Sequence, residues 1–273
     1  MAKQKKQEGK VKGRREKREI EERENSIAQM STSELLEHMT SLGLKVSEDI
    51  ALELARREDA IFYLRKMLQD AQYWYQDGPG DAWMPIHAIH ILALIKTRDA
   101  LELLLDIMRY RGKDLSDWLT EDTPALLAAF GEDAVKPLKE FASDKTLGIF
   151  VRGSATTALN VIAHGYPAHS DEIINHFRML FQDTTDRLFA AMLIGELLSF
   201  KDPDVLDVVY SAFDEDRVDT SFMPREEVDD VLNASEEKQE YMMFMKKDPL
   251  NHFSEKNIDY LAKITYSEEP QEQ

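Results

Sequence analysis

The amino-acid sequence predicts an all-α protein in which pairs of antiparallel helices stack as an α-solenoid behind a basic N-terminal arm. Three observations carry this prediction. Apolar residues recur at helical spacing, no convincing alternating strand pattern appears, and an alanine-rich helical pattern repeats along the chain. With 273 residues, 43% of them hydrophobic, the chain is long enough to bury a sizeable core.

The first 30 residues are predicted to form a charged arm. Residues 1–19 hold nine Lys or Arg against three Glu, a net charge of +6; the whole chain carries −18, so the remainder carries −24. Because an acidic body repels a phosphate backbone, only the arm could bind nucleic acid or another anionic partner by charge. The alternative is a solvated tail. The cations concerned include Lys3, Lys5, Lys6, Lys10, Lys12, Arg14 and Arg15.

Start and stop signals indicate the first helices. The residues STSE at 31–34 have the spacing of a capping box and predict a helix that stops near Gly43. Ser47 is expected to cap the next helix. The apolar spacing over 59–75 predicts a longer helix, which the turn residues DGPG at 77–80 terminate.

From residue 81 a helical pattern recurs four times. Each unit is an alanine-rich helix, a short polar turn and a second amphipathic helix; the first helices read MPIHAIHILALI, TPALLAAF, FVRGSATTALNVIA and RLFAAMLIGELL. Corresponding positions in successive units are Ala88, Leu126, Ala158 and Ala191, and each is separated from the one before it by 38, 32 and 33 residues in turn. Such spacing is typical of paired-helix repeats of the HEAT or armadillo kind.

These patterns divide the chain into four predicted segments. They are the arm at 1–30, the solenoid at 31–232, C-terminal capping helices at 233–265 and a disordered acidic tail at 266–273. Thr123-Pro124 and Asp202-Pro203 are predicted helix starts inside the solenoid. The C-terminal helices are expected to cover the apolar face of the last repeat.

Several stretches resemble known repeat proteins. VRGSATTAL at 151–159 is similar to the second half of the phycobilisome-lyase-type HEAT-like repeat, whose core is Val-Arg-x-x-Ala-x-x-Ala-Leu. Over about residues 40–232 the chain resembles a bacterial HEAT-like family of unknown function, notably in PIHAIHILALI, DWLTEDTPALLAAFG and RVDTSFMPREEVDDVL. This resemblance implies an α-solenoid and no catalytic residue. Some relatives end in a cysteine-rich zinc module, which a chain without cysteine cannot form.

Composition and motifs argue against several activities. Without cysteine the chain has no disulfide, thiolate metal site or cysteine nucleophile. Gly-x-Ser-x-Gly, P-loop and Gly-x-Gly-x-x-Gly patterns are missing, as is the His-Glu dipeptide of di-iron HEAT-repeat enzymes. We therefore expect no catalytic residue, metal or cofactor. The lack of cysteine and of a long apolar run favours a cytoplasmic protein.

Aromatic, histidine and acidic residues around the first two repeats form a candidate partner surface. Its members are Trp83, His87, Asp117, Trp118, Glu121 and Asp122. An aromatic side chain flanked by carboxylates could dock a basic peptide, whereas the simpler interpretation is a set of solvated helix-start charges. His87 and His90 have the spacing of a shared metal site, but no third ligand follows. Structural, hydrogen-bonding histidines are therefore favoured.

Two further charged groups receive structural interpretations. Arg152 is predicted to clamp adjacent turns by pairing with Asp144 or Asp186. The acidic run DEDRVD at 214–219 resembles a calcium loop only superficially. The position of its bidentate glutamate is occupied by Arg225.

The leading functional hypothesis is a non-enzymatic scaffold or adaptor that binds another protein through the solenoid surface. The alternative is a nucleic-acid- or ribosome-associated protein tethered by its basic arm. A lyase-type enzyme is suggested only by the name of the repeat, and repeats transfer fold far better than chemistry.

Overall fold

The computed structural model describes residues 25–201, 205–233 and 248–266. Within these ranges the chain forms helices and turns but no strand, so the all-helical prediction is confirmed. None of the helices there has the length and apolar character that a membrane crossing requires. Most of the predicted arm and tail, Asp202-Pro203 and residues 234–247 of the predicted capping helices lie outside the described residues.

The α-helices follow one another along the chain with short connections. In order they are α1 (Thr32–Ser41), α2 (Glu48–Ala55), α3 (Ala60–Gln69), α4 (Trp83–Ile95), α5 (Arg98–Arg111), α6 (Trp118–Glu121), α7 (Thr123–Ala128), α8 (Val135–Ser143), α9 (Ile149–Gly165), α10 (Ser170–Asp183), α11 (Arg187–Leu198), α12 (Leu206–Asp214), α13 (Arg225–Asn233) and α14 (Glu255–Tyr266). Short 3₁₀ helices stand at Ala71–Trp74, Gly131–Ala134, Pro167–His169 and Pro249–Phe253.

The chain separates into two compact units. Of the described residues, 25–91 and 250–266 form the first unit, and those between 92 and 249 form the second. The sequence pattern predicts that the C-terminal helices cover the last repeat. The structure instead packs the described residues from Leu250 onward within the first unit, next to elements near the start of the chain.

In the first unit, α1 packs against α2 and α3. The capping box predicted at the start of α1 is confirmed: the Glu34 backbone N–H donates to Ser31 Oγ, and the Ser31 backbone N–H donates to the Glu34 carboxylate. Ser47 stands at the N-cap of α2, but its side chain makes no capping hydrogen bond. The buried core residues of the three helices are Leu35, Leu36, Met39, Ile50, Ala51, Leu54, Ala60, Leu64 and Leu68.

The long helix predicted over 59–75 is wrong over its last six residues. α3 ends at Gln69, because Asp70 adopts an extended backbone with ψ 117°. The Asp70 carboxylate accepts a hydrogen bond from the Gln72 backbone N–H at 3.1 Å and so caps the 3₁₀ helix that follows. A short polar side chain that can bond nearby backbone N–H groups competes with helix continuation, which the apolar periodicity does not register.

One helix organises the second unit. α9 contacts α6, α7, α8, α10 and α11, so it is surrounded on most sides. Its small residues permit this close packing: Ala155 and Ala158 have no exposed area, and a β-carbon at Gly153 would lie 2.8 Å from the Met192 sulfur. The predicted start of α7 is confirmed to one residue, with Pro124 in its first turn and Asp122 at its N-cap.

The two serine N-caps of the first unit provide a test of the capping box. We expect Ser31→Ala to lower the free energy of unfolding by about 1 kcal/mol, because it removes a side-chain acceptor and its reciprocal partner. Ser47→Ala, which deletes no capping hydrogen bond, serves as the control and should cost less than about 0.5 kcal/mol. Urea unfolding followed by circular dichroism measures both. Equal losses would contradict the assignment.

Candidate functional site

Three buried histidines meet inside the first unit. His87 and His90 lie one turn apart on α4, and His252 comes from the 3₁₀ helix Pro249–Phe253. Nδ1 of His87 and Nε2 of His252 are 2.9 Å apart, and the rings of His90 and His252 stack with centroids 3.9 Å apart. The histidine cluster therefore joins the C-terminal segment to α4.

Hydrogen bonding determines which ring nitrogens carry protons. Nε2 of His87 lies 2.8 Å from the Gly43 carbonyl oxygen, which can only accept, so this nitrogen is protonated. Nδ1 of the neutral ring is then the acceptor, and Nε2–H of His252 donates to it. Nδ1 of His90 donates to the Ile86 carbonyl at 2.9 Å. Backbone carbonyls thus fix the neutral tautomers of His87 and His90.

Aromatic rings enclose the three histidines, and the burial that results favours their neutral form. Trp83 stacks on His87, and Phe253 contacts the rings of both His87 and His252. Burial lowers the pKa of His87 to about 4, against the opposing effect of its hydrogen bond to Gly43. Burial also holds the pKa of His252 well below its ordinary value, and the neighbouring histidines reinforce this.

This geometry corrects part of the candidate partner surface. Trp83 is 8% exposed and His87 is 1% exposed, so neither can contact a partner while the first unit is intact. The histidine pair serves packing and hydrogen bonding instead. His252 could not be connected to it from the sequence, because 165 residues separate it from His87 and no spacing rule spans that distance. No group of three or more His, Asp or Glu in the described ranges is arranged to hold a metal ion.

The acidic part of the candidate surface lies in the second unit. Asp117 and Glu121 are exposed and Trp118 and Asp122 are half-buried, at the two ends of the one-turn helix α6. This segment is anchored through its backbone: Ser154 Oγ of α9 donates to the Leu119 carbonyl at 2.6 Å, and Thr123 Oγ1 donates to the Trp118 carbonyl at 2.8 Å. The anchoring leaves the carboxylates at 117 and 121 facing solvent.

Exposed aromatic residues flank the same end of α9. Tyr110 near the end of α5 is 75% exposed, and Phe150 in the first turn of α9 is 48% exposed. The two helices meet close by, since a β-carbon at Gly112 would lie 2.8 Å from Val151 Cγ2. We call the side chains of Tyr110, Asp117, Trp118, Glu121 and Phe150 the acidic-aromatic surface.

Arg152 is a buried clamp, but its direct partners differ from those predicted. Its Nε donates to the Ala142 carbonyl at 2.8 Å, and its guanidinium lies 3.8 Å from the centre of the Phe189 ring. Asp186 and Asp144 act on it only as nearby charges. Asp144 instead pairs with Arg109 at 2.7 Å, and Asp186 caps α11 by accepting from the Phe189 N–H.

The acidic residues at 214–219 form ion pairs and hydrogen bonds with nearby residues. Asp214 pairs with Arg225, Asp216 pairs with Arg187 at 2.6 Å, and Asp219 accepts hydrogen bonds from Ser221. Arg225, which occupies the position of the calcium-loop glutamate, therefore neutralises the first carboxylate of the run. The structure gives this group a role in joining α12, α13 and the start of α11.

A buried polar cluster lies between α9 and α11, and none of the sequence motifs predicts it. Thr157 Oγ1 donates to Oε1 of Glu196, and Asn160 Nδ2 donates to Oε2 at 2.6 Å. Asn160 is fully buried, and its Oδ1 has no hydrogen-bond partner in the structure. Thr157 and Asn160 are three residues apart and share one face of α9, a spacing that could have signalled a polar stripe on an otherwise apolar helix.

Burial raises the pKa of Glu196 to about 7, against the two hydrogen bonds from Thr157 and Asn160. Glu196 also stands in the last turn of α11, where the helix dipole disfavours a negative charge. The hydroxyl of Ser199 donates to the Glu196 backbone carbonyl at 2.7 Å. Nε2 of His164 lies 3.3 Å from the Ser199 hydroxyl oxygen. Because the Ser199 hydroxyl proton points to the Glu196 carbonyl, Ser199 and His164 do not have the arrangement of a nucleophile activated by a base.

Over the ranges that the structure describes, the protein is all-helical and contains the histidine cluster, the polar cluster around Glu196 and the acidic-aromatic surface. Residues 30–265 match the family model described as "Protein of unknown function (DUF1186)", and the chain belongs to this family. No curated protein and no solved structure matches the chain. The arm cations Lys3, Lys5, Lys6, Lys10, Lys12, Arg14 and Arg15 lie outside the described residues.

The stacking of Arg152 on Phe189 can be measured directly. Lysine keeps the charge but lacks the planar guanidinium, so Arg152→Lys should lower the free energy of unfolding by about 1–2 kcal/mol. A double-mutant cycle with Phe189→Leu should give a coupling energy of about 1 kcal/mol. The exposed Arg98→Lys is the control, expected within about 0.5 kcal/mol of the parent. A coupling energy of zero would refute the clamp.

Glu196 should make stability depend on pH near neutrality. Its pKa rises from 4.5 to about 7 on folding, so the folded protein binds more protons between these values. The free energy of unfolding therefore falls as pH rises from 4.5 through 7. Glu196→Gln should remove this loss, gaining about 1–2 kcal/mol relative to the parent between pH 5 and pH 8, with the partial exposure of the residue taken into account. Urea unfolding at several pH values, with the exposed Glu140→Gln as control, checks this; parallel pH profiles would contradict it.

Proposed function

We propose that the protein is a non-enzymatic, cytoplasmic interaction scaffold, an α-solenoid of HEAT-like helix pairs whose second unit binds a protein partner. The observation that carries this proposal is the acidic-aromatic surface. It combines two exposed carboxylates, Asp117 and Glu121, with the half-buried Trp118 in a segment whose Leu119 carbonyl shares the Ser154 hydroxyl with the Phe150 carbonyl. Exposed aromatic side chains at a rigid site are typical anchors of protein interfaces.

The chemistry of this surface favours a basic partner. Excluding residues 1–19, the chain carries −24, so a cationic segment is attracted over a distance before contact is made. Carboxylates accept charge-assisted hydrogen bonds from Arg or Lys, and aromatic faces attract the same cations. An extended segment rich in Arg or Lys satisfies both requirements.

Anchoring of the segment supports this use. The carbonyls of Trp118 and Leu119 accept hydrogen bonds from Thr123 and from Ser154 of α9. The side chains at 117 and 121 are therefore presented from a backbone that is already in position. A preorganised surface loses less conformational entropy when a partner binds.

The second candidate function is nucleic-acid or ribosome association through the basic arm. The charge distribution favours it, because +6 is concentrated in residues 1–19 of an otherwise acidic chain. The scaffold uses the acidic body of the chain, whereas the nucleic-acid function uses the basic residues 1–19. One experiment can therefore separate them.

Affinity capture of the full chain followed by mass spectrometry tests the scaffold. We expect a stoichiometric protein partner whose recovery falls at least tenfold with Asp117→Lys combined with Glu121→Lys, since both carboxylates become cations. Asp133→Lys combined with Glu140→Lys changes the net charge equally at exposed positions of the same unit and should leave recovery unchanged.

Two results would contradict the scaffold proposal. One is equal recovery by the two double variants. The other is loss of all partners after nuclease treatment together with dependence on the arm, which would favour the nucleic-acid function instead.

A further inference from the structure

The basic arm has the chemistry that the acidic-aromatic surface favours. Residues 1–19 carry nine Lys or Arg against three Glu. The stretch 112–122, which holds Asp117, Trp118 and Glu121, has four carboxylates against the single cation Lys113, a net charge of −3. The chain therefore contains both a surface suited to a segment rich in Arg or Lys and a segment of that kind.

We propose that residues 1–19 of one copy bind the acidic-aromatic surface of a second copy, so that the protein associates with itself head to tail. This use of the arm rests on the proposed function, because it fills the same surface. Each copy then offers one arm and one surface. A heterologous contact of this kind joins copies into rings or open chains.

Asp117 presents a carboxylate that its own helix does not use as a cap. It stands at the N-cap of α6, is exposed, and makes no side-chain capping hydrogen bond. The cations at the end of α5 have partners of their own, since Arg109 pairs with Asp144 at 2.7 Å. Arg111 in turn pairs with Asp114 at 3.3 Å. A cation that arrives from another copy therefore reaches Asp117 without breaking either ion pair.

Exposed aromatic rings add a second means of recognising Lys and Arg. Tyr110 is mostly exposed and Phe150 is about half exposed. The Ser154 hydroxyl contacts the carbonyl oxygens of Leu119 and Phe150 at 2.6 and 2.9 Å, which ties the backbone of the acidic segment to the first turn of α9. Because ring faces attract ammonium and guanidinium groups, a segment with many cations gains contacts with both parts of the surface.

The arm precedes a part of the first unit that is held in place. Ile27 is buried, and the Arg57 guanidinium donates to the carbonyls of Ile27 and Met30 at 3.2 and 2.7 Å. The 24 residues before Asn25 would span at most about 80 Å if they were fully extended. Such a reach allows residues 1–19 to contact a separate copy.

The net charge of the protein opposes association at long range. Each copy carries −18, so two copies repel each other before they touch. The Debye length is about 8 Å at physiological ionic strength, which screens this repulsion more than it screens ion pairs in contact. We therefore expect a weak association that is measurable near physiological salt and at high protein concentration.

Sedimentation velocity of the full chain tests the contact from the side of the arm. Near physiological salt, the average sedimentation coefficient of the parent should rise with protein concentration. Lys3→Glu, Lys5→Glu and Lys6→Glu combined reverse three charges of the arm and should weaken association at least tenfold. These changes lie outside the described helices, so this variant decides the question if a surface variant does not fold.

The surface is tested with a matched control. Asp117→Lys combined with Glu121→Lys should weaken association at least tenfold, because both carboxylates become cations. Glu226→Lys combined with Glu227→Lys makes the same change of net charge at exposed positions of α13 and should not weaken it. Far-ultraviolet circular dichroism checks that each variant keeps the helical content of the parent.

A mixture of the arm variant and the surface variant shows whether the contact is between copies. Across the mixture, the unchanged arm meets an unchanged surface and the acidic arm meets a basic surface. Both pairings are complementary, so the mixture should associate although neither variant does so alone.

Four results would overturn the proposal. They are a parent that stays monomeric at every concentration, association that nuclease treatment abolishes, equal weakening by the α13 control, and a mixture that does not associate. None of them alters the capture experiment. A captured partner that depends on Asp117 and Glu121 would still support the scaffold, so failure of self-association is distinguishable from failure of the proposed function.

Discussion

Burial of α9 among five other helices is the constraint on which the second unit depends. A helix contacted on most sides leaves little room for large side chains, and Gly153, Ala155 and Ala158 meet this requirement. Arg152 follows from the same constraint. Since its charge cannot reach bulk water freely, a carbonyl and an aromatic ring satisfy it. The acidic-aromatic surface is stable for the same reason, because Ser154 of this buried helix holds the backbone of α6.

Polar groups inside both units are satisfied mainly by the backbone. Gly43 and Ile86 accept from the two histidines of α4, and the Glu196 carbonyl accepts from Ser199 and Asn160. Backbone carbonyls are strong hydrogen-bond acceptors that the folded backbone already holds in place. Each of these hydrogen bonds therefore needs only one side chain, the donor. Glu196 differs, because its own carboxylate is the buried group. Its protonation is therefore the least costly way to relieve the burial.

How much the sequence could predict depended on the range of each interaction. The capping box at Ser31, the proline start of α7 and the helical character throughout follow from residues within four positions of each other, and they are confirmed. The break at Asp70 was missed because one side-chain hydrogen bond outweighed an apolar period. His252 was missed because its partners are distant in sequence. Arg152 was recognised as a clamp, but which atoms surround a buried guanidinium depends on packing that spacing does not encode.

The return of the C-terminal segment to the first unit has a consequence for synthesis of the protein. His87 cannot contact His252 until 165 further residues have been made. During translation α4 therefore leaves the ribosome long before the imidazole of His252 that packs against it. The second unit is one continuous stretch, Leu92–Pro249, and can fold as it leaves the ribosome. The first unit must remain incomplete until residues 250–266 have been made. Its closure is a contact of very high sequence separation, and forming it carries the entropic cost of a long loop.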